Sequence, residues 1–504
     1  MATLTALGAA HGFTAGDLDT SGQVAMVQAY QKTYLADGRP YSAAIGDSGY
    51  HKIDWLNDRL VGAPSGTFIQ GEVVTQATSG ATGIFDETVG AGATAKNMVY
   101  RTSTTAFDTT HVITGADSGE TLTPTSVVYP PHWLNWTLTD GTFPEGGSNI
   151  LSLCWGRIFM NSLQHPHQWF ATRINDPLDL LLVTDDVASA QNSQATEKAG
   201  LVGDQIVAMI PYKGNTQIFG CFNHMFVLRA DPASSGIFTT LSDTTGIFSN
   251  TSYCWDDKNN LYFMGFDGIY ALSAEAIING APPINLTKEH LPKLISAMGL
   301  NRRTDRVTMA YDKDRYGIEI SASQFDGKWT AIFWMDLRTG GVFPEEYQED
   351  HIPTSLFYFD ARTKAERTML AGCNDGYVRK WSESDKSDDG SNAIESEVLI
   401  GPVSGQNIRS KTGVAEVSIK TGIDTDSITA SIYSGQTAEK VIKNVTDDES
   451  PKVTKTFNTD KLLPSIRQQV KDGAIGLKIS NTTADSSWNI EKIDIHAGES
   501  GRMK

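Results

Sequence analysis

Apolar and polar residues alternate with a period of two along most of this chain, and that period belongs to strands rather than helices. Leu151, Leu153 and Trp155 alternate with small or polar residues, the chain turns at Gly156, and Arg157-Ile158-Phe159-Met160 follows. After a polar loop comes His165-Pro166-His167-Gln168-Trp169-Phe170-Ala171-Thr172-Arg173-Ile174-Asn175-Asp176-Pro177. Strand, turn, strand, rim loop and a further strand make one blade of a β-propeller. Hairpins of this kind recur: 217–222 turns at Asn223-His224, 261–266 at Asp267-Gly268, and 307–311 through Asp312-Lys313-Asp314. Two more follow, with 329–336 turning at Thr339-Gly340-Gly341 and 369–373 at Asn374-Asp375-Gly376. Asp-Gly between apolar runs predicts a type I′ turn, in which both central residues need φ > 0. The pairs recur at roughly 40–50 residues, the spacing of four-stranded blades. Five blades fit between Leu151 and Trp381, and a sixth needs strands from before Gly66 or after Ser396. One interruption, 287–295, predicts a rim helix with Leu291, Leu294 and Ile295 on one face.

The flanks differ from this repeat. Residues 1–65 are weakly patterned and predict an extended arm with possible blade strands; Val24 to Tyr30 is helix or strand. Residues 66–128, with Gly71, Gly80 and Gly83 punctuating short alternating runs, predict a small all-β insertion. The propeller then spans 129–385. ESDKSDDGSN at 383–392 is a polar boundary, and beyond it four alternating stretches predict a β-sandwich over 386–504, ending in a basic tail at Arg502 and Lys504. The fold class is therefore all-β: a propeller of about six blades, a small insertion domain and a C-terminal sandwich.

Composition sharpens the function class. The chain has 504 residues, 46 glycines and only 20% charged residues, the profile of a turn-rich secreted or virion protein. Its formal net charge of −18 argues against a sequence-reading nucleic-acid binder, which needs a basic face. Cys154, Cys221, Cys254 and Cys373 are widely spaced without a C-x-x-C pair, so buried free thiols are expected, with disulfides the alternative. The first residues, MATLTALGAAHGFTAGD, lack a basic stretch and a long apolar run and do not read as a signal peptide. No run reaches the ~20 apolar residues of a membrane span.

The run from His165 to Pro177 resembles the His-Pro-x-x-Trp-Phe-Ala-x-Arg-x-x-Asp-Pro pattern of phage tail-hub and nozzle proteins, which cap the short tails of podoviruses below the portal. GEVVTQATSGATG, within 66–128, is similar to runs found in many phage structural proteins. The terminal Ile490-x-x-Ile493-x-Ile495 strand is similar to the sandwich that follows the propeller in nozzle proteins. The resemblance covers about two thirds of the chain in the order of its parts. It implies a homo-oligomeric ring, six-fold, made in the host cytoplasm and finishing in the virion tail. It also implies adaptor (head–tail connector) and tail-fibre partners, and double-stranded DNA passing through without specific binding. The interface candidates on this reading are His165, His167, Trp169, Phe170, Asp176 and Pro177.

Candidate chemistry is thin. His165 and His167 share a strand face but have Pro166 between them and no nearby acidic partner, a poor metal site. Ser323 to Trp329 resembles the Asp-box turn of sialidase propellers with its aspartate displaced. Asp256-Asp257 and Glu345-Glu346 are adjacent, so they face opposite ways and are not a glycosidase pair. Arg302, Arg303 and Arg306 form a small basic cluster, expected to be a solvated helix end. No catalytic residue, cofactor or metal is therefore assigned, and the expectation is a structural protein rather than an enzyme. The rival reading is a glycan-cleaving or glycan-binding propeller of a phage tail.

Overall fold

The computed structural model describes residues 7–193, 202–234, 236–288, 291, 293, 295, 298–325, 330–348, 351–381, 386–388, 392–404, 410–423, 425–447, 449–458 and 464–502. Two compact units divide the chain, 1–381 and 382–504. In the first, the five blades expected after Leu151 are five antiparallel sheets. They begin at Leu151–Cys154, Ile206–Tyr212, Tyr253–Trp255, Asp305–Asp312 and Pro353–Phe359, the last with three strands and the others with four. A further four-stranded sheet precedes them, from Ala25–Ala29, Lys32–Ala36, Tyr50–Asp54 and His132–Asn135. Counting that sheet as blade one gives six blades, and the protein is an all-β propeller with appended β domains.

Blade one takes its first three strands from before Gly66, as the sixth blade required, so 25–54 are blade strands rather than an extended arm. Residues 25–36 are a hairpin whose turn, Tyr30-Gln31, has φ of 50° and 63°. Its register pairs Ala25 with Ala36 and Ala29 with Lys32, so Ala25, Ala36 and Tyr50 share the face that meets blade two. The insertion also starts earlier than expected. Strand Asp58–Val61 already pairs with Lys96–Arg101 and Ser126–Val128 in a seven-stranded sheet, so a boundary at residue 66 would cut off one of its strands. Leu60, Phe68, Val74, Phe85, Val99 and Phe107 form its own apolar core.

Turn chemistry differs from the Asp-Gly expectation in an instructive way. At Asp267-Gly268 neither residue has positive φ; Gly265 N–H donates to the Gly268 carbonyl, and a Cβ on Gly268 would meet the Thr287 hydroxyl at 2.5 Å. That glycine serves close approach rather than turn geometry. At Asn374-Asp375-Gly376 only Gly376 is left-handed, with φ of 84°. Both central residues are left-handed instead at Trp155-Gly156, with φ of 50° and 67°, as a type I′ hairpin requires. In the predicted rim helix at 287–295, residues 289, 290, 292 and 294 lie outside the described residues, but the Leu291 N–H donates to the Thr287 carbonyl and the Ile295 N–H to the Leu291 carbonyl, as a helix requires. Most of Ser323–Trp329 lies outside the described residues.

The second unit is a sandwich. One sheet orders Ser396–Ser404, Ala474–Asn481, Ile428–Gly435 and Val453–Phe457. In the other, Ser410–Thr421 pairs with Ser465–Ile466, Val470–Asp472 and the long terminal strand Ile490–Arg502. Val417 and Ile419 of one sheet meet Ala430, Ile432 and Ile479 of the other, the alternation expected of two facing sheets. Among the described residues, no helix is long and apolar enough to cross a membrane.

Candidate functional site

The run from His165 to Pro177 lies across blade two, with Trp169–Ala171 as its third strand. Trp169 is fully buried among Phe159 at 5.6 Å, Phe219 at 5.9 Å and Phe238 at 6.4 Å, ring centroid to ring centroid, so it packs blade two onto blade three. Phe170 points the other way along the alternating strand and is half-buried in the apolar cluster shared by blades one and two. Beyond the strand, Asp176 accepts from the Leu178 N–H at 2.9 Å and shapes the loop. Pro177 is buried, and its carbonyl accepts from the indole of Trp136, which follows blade one, at 3.0 Å. Trp169, Phe170 and Pro177 are thus joints to neighbouring blades, whereas Asp176 shapes its own loop.

The two histidines sit on the opposite side of the same strand, in the loop before it. His165 Nε2 is 3.3 Å from Glu145, and its ring centroid is 6.3 Å from that of His167. His167 lines an open hollow of about 460 Å³ with Pro166, Val202, Gly203, Asp204 and Gln205. Asp204 is already engaged by His224 at 2.9 Å. The structure therefore splits the six candidates between the two ends of one strand.

Sequence reasoning missed the residue that fastens this region. Arg157 follows the Trp155-Gly156 turn and is fully buried, yet its guanidinium is satisfied. Nε lies 2.9 Å from Asp231 of the blade-three loop, and the remaining nitrogens donate to the carbonyls of Thr172, Val187, Ala188 and Ser189. One side chain thus pins the rim loop 172–189 and ties blade two to blade three. A lone arginine among Ile158, Phe159 and Met160 was the available signal, but its partner lies far along the chain.

Two acidic groupings outside this run carry unusual electrostatics. Carboxylates of Asp54, Asp86 and Glu87 converge where the insertion meets blade one. Lys32 Nζ lies 2.6 Å from Asp86 and 3.0 Å from Glu87, and Lys52 Nζ is 2.7 Å from both Glu87 oxygens. Burial opposes charge on Glu87, but Lys52 and Lys32 outweigh it and hold its carboxyl at about 2. Burial pushes the Lys52 ammonium down, against the pull of Glu87. The site is filled by ammonium groups, so it is a charged fastening.

In blade five, Glu319 is 1% exposed and its carboxyl faces that of Glu345. Burial first, then the neighbouring Glu345, raises its carboxyl well above the ordinary range, while Arg315 at 3.7 Å pulls it back. Arg315 also meets Glu345 at 2.9 Å and stacks 3.9 Å over Trp334, while Tyr347 donates to Glu345 at 3.0 Å. Glu345 does therefore meet a second carboxyl, from across strand Thr330–Asp336 of the same sheet rather than from its sequence neighbour. At 1% exposure Glu319 is sealed from any substrate.

Of the basic cluster Arg303 is exposed, whereas Arg302 and Arg306 pack on aromatic rings rather than reaching into solvent. Arg302 lies 4.2 Å from both the Phe222 and Phe266 rings, burial lowers its guanidinium to about 10, and Arg306 stacks 5.1 Å over Phe325. Aromatic faces offset part of the cost of taking these cations out of water. All four cysteines are buried; Cys154, Cys221 and Cys254 are free thiols, and burial raises Cys154 to about 12.

No family model matches the chain, and no curated protein matches it. Solved structures similar to it include the extracellular domain of a one-component system from B. thetaiotaomicron, at 11% identity, TM-score 0.31, covering 94% of this chain and 62% of that one. A streptogramin B lyase is similar at 10% identity, TM-score 0.28, over 69% of this chain and 96% of its own. Kluyveromyces lactis Hsv2 matches at 10% identity, TM-score 0.25, over 65% and 85%. At these values the likenesses carry no argument about activity.

Proposed function

We propose that the chain is a structural virion protein, a propeller-based nozzle or hub subunit at the end of a short phage tail. It forms a ring around the DNA channel below the portal and adaptor, retains the packaged genome and guides its ejection. Adaptor and tail-fibre proteins are its neighbours, and DNA passes without specific contacts. One observation carries this reading: within the run that bears the resemblance, the buried residues join blades. Trp169 packs blade two on blade three, and Pro177 holds Trp136. A shell that transmits force needs such joints, whereas an enzyme needs reactive groups open to a substrate. Among the described residues, the converging carboxylates at Glu87 are neutralised by lysines and Glu319 is sealed.

Light scattering tests the proposal. Assembly to several times 54.7 kDa, with a ring in electron micrographs, is the expected result. A monomer that cleaves surface polysaccharide would overturn it.

A further inference from the structure

Buried polar atoms without a hydrogen-bond partner gather beside His132–Asn135, the outer strand of blade one. His132 Nδ1, Trp133 Nε1 and Asn135 Oδ1 lie on the strand itself, and His11 Nδ1 and Arg59 Nε come from beside it. Folded proteins pair nearly all such groups, so a gathering of them points to a ligand.

The chemistry of these groups says which kind. Arg59 is 8% exposed; its Nη2 donates to the Ala10 carbonyl at 3.2 Å, while its Nε is buried and unpaired. Gly12 passes so close that a Cβ on it would lie 3.3 Å from Arg59 Nη1. Lys96 is the neighbour of Arg59 on the insertion sheet. Register pairs Lys96 with Val61, and alternation puts Val61 and Arg59 on one face. His132 is fully buried, with Nε2 3.0 Å from the Asn57 carbonyl. That bond keeps the ring proton on Nε2 and leaves Nδ1 an unused acceptor. Burial and then Arg59 push this imidazole down to about 4, with His11 adding to the repulsion.

No carboxylate answers this charge. Burial lowers the Arg59 guanidinium with nothing opposing it; burial and Arg59 lower Lys96, with only Asp17 opposing them. Asp17 already accepts from the Thr14 N–H at 2.7 Å, and Asp54, paired in register with His132, accepts from Asn57 at 2.7 Å. In a chain of net charge −18, cations taken out of water without a counter-charge are out of place, because burial is costly unless the charge is paired.

We propose that Arg59, Lys96, His11 and His132 form a binding site for one hydrogen phosphate ion, where the insertion sheet meets residues 8–13. The charged oxygens accept from Arg59 Nε, the Lys96 ammonium and His11, and the remaining O–H of the ion donates to His132 Nδ1. Sulfate, fully ionised at neutral pH, has no such proton to give. Residues 8–12 cover the ion, which enters past half-buried His11 and Lys96, so the phosphates of a duplex stay outside.

Calorimetric titration of the full chain with sodium phosphate and with sodium sulfate, at neutral pH and matched ionic strength, tests the site. One phosphate per chain is expected, with sulfate at least ~tenfold weaker, as the loss of one charged hydrogen bond implies. Arg59→Gln and Lys96→Gln should each weaken phosphate at least ~tenfold. Lys96 is half-buried, so its variant keeps the test sharp if Arg59→Gln fails to fold. Arg303→Gln, at an exposed position near blade five, should bind as the wild type does. Absence of phosphate binding by the wild type would overturn the proposal. Equal affinity for sulfate, or unchanged binding by Lys96→Gln, would mean an adventitious ion only and overturn it too. Displacement of the ion by short double-stranded DNA would put the site on the open surface and refute the buried seat.

Discussion

At the scale of single residues, the decisive side chains are buried ones whose partners come from elsewhere in the chain. Arg157→Ala leaves Asp231 and several carbonyls unpaired and should cost about 3–5 kcal/mol in urea unfolding, as breaking a buried ion pair does. Arg157→Lys should not restore it, because a point charge cannot serve a fork of five acceptors. Trp169→Ala should cost a similar ~3–5 kcal/mol and weaken assembly; retention of both stability and assembly would refute its role as a joint. Glu319 makes a pH prediction. Its folded pKa is raised, so above the ordinary carboxyl pKa of ~4.3 the unfolded chain has lost a proton that the folded chain keeps. Folded stability therefore falls as pH rises through that window, until the folded group, facing Glu345, Arg315, Asp312 and Tyr347, also ionises. Glu319→Gln removes this penalty. The variant should gain on the wild type by at most about 1.4 kcal/mol per pH unit above the carboxyl range; parallel stability–pH curves would contradict this.

At the scale of elements, the insertion is a self-contained sheet held on by charge. Lys32 and Lys52 of blade one are 8% and 1% exposed, and Asp86 and Glu87 of the insertion are their main partners. Excising 58–128 should therefore leave two buried ammonium groups and a poorly stable protein. Excision with Lys32→Met and Lys52→Met should recover stability, since apolar replacements of buried ions are often neutral or favourable. Equal melting temperatures for the two excisions would show that the lysines find water instead. The same element shows what could be read beforehand. Blades two to six were legible because their first strands are joined by short turns rich in Asp, Asn and Gly. Blade one was not, because its fourth strand, His132–Asn135, is parted from Tyr50–Asp54 by the whole insertion. Lys32 and Lys52 look like an exposed polar face until Glu87 arrives to bury them. The burial of Trp169 was legible from its aromatic run, whereas Arg157 and Glu319 were not, since Asp231 lies in a loop of the next blade and Glu345 on another strand.

At the scale of the whole molecule, charge bears on the proposed conduit. The net charge of −18 per subunit is multiplied in any ring, so phosphates meet repulsion, screened beyond a Debye length of ~8 Å at physiological salt. The guanidinium groups of Arg302 and Arg306 are spent on aromatic rings. The assembled protein should therefore show no tight, steeply salt-dependent binding to double-stranded DNA. A titration in which affinity collapses as salt rises would reveal a basic lining and end the smooth-conduit reading. The placing of the insertion also has a consequence in time. As the chain is synthesised, residues 25–54 emerge as three strands of a blade whose fourth strand has not yet been made. The insertion closes next on its own nearby contacts, and local contacts form fastest. Only then do His132–Asn135 arrive to complete the blade on which the rest of the propeller is laid. Folding of the first unit should thus begin with its appendage, and a slowly folding insertion would delay every blade behind it.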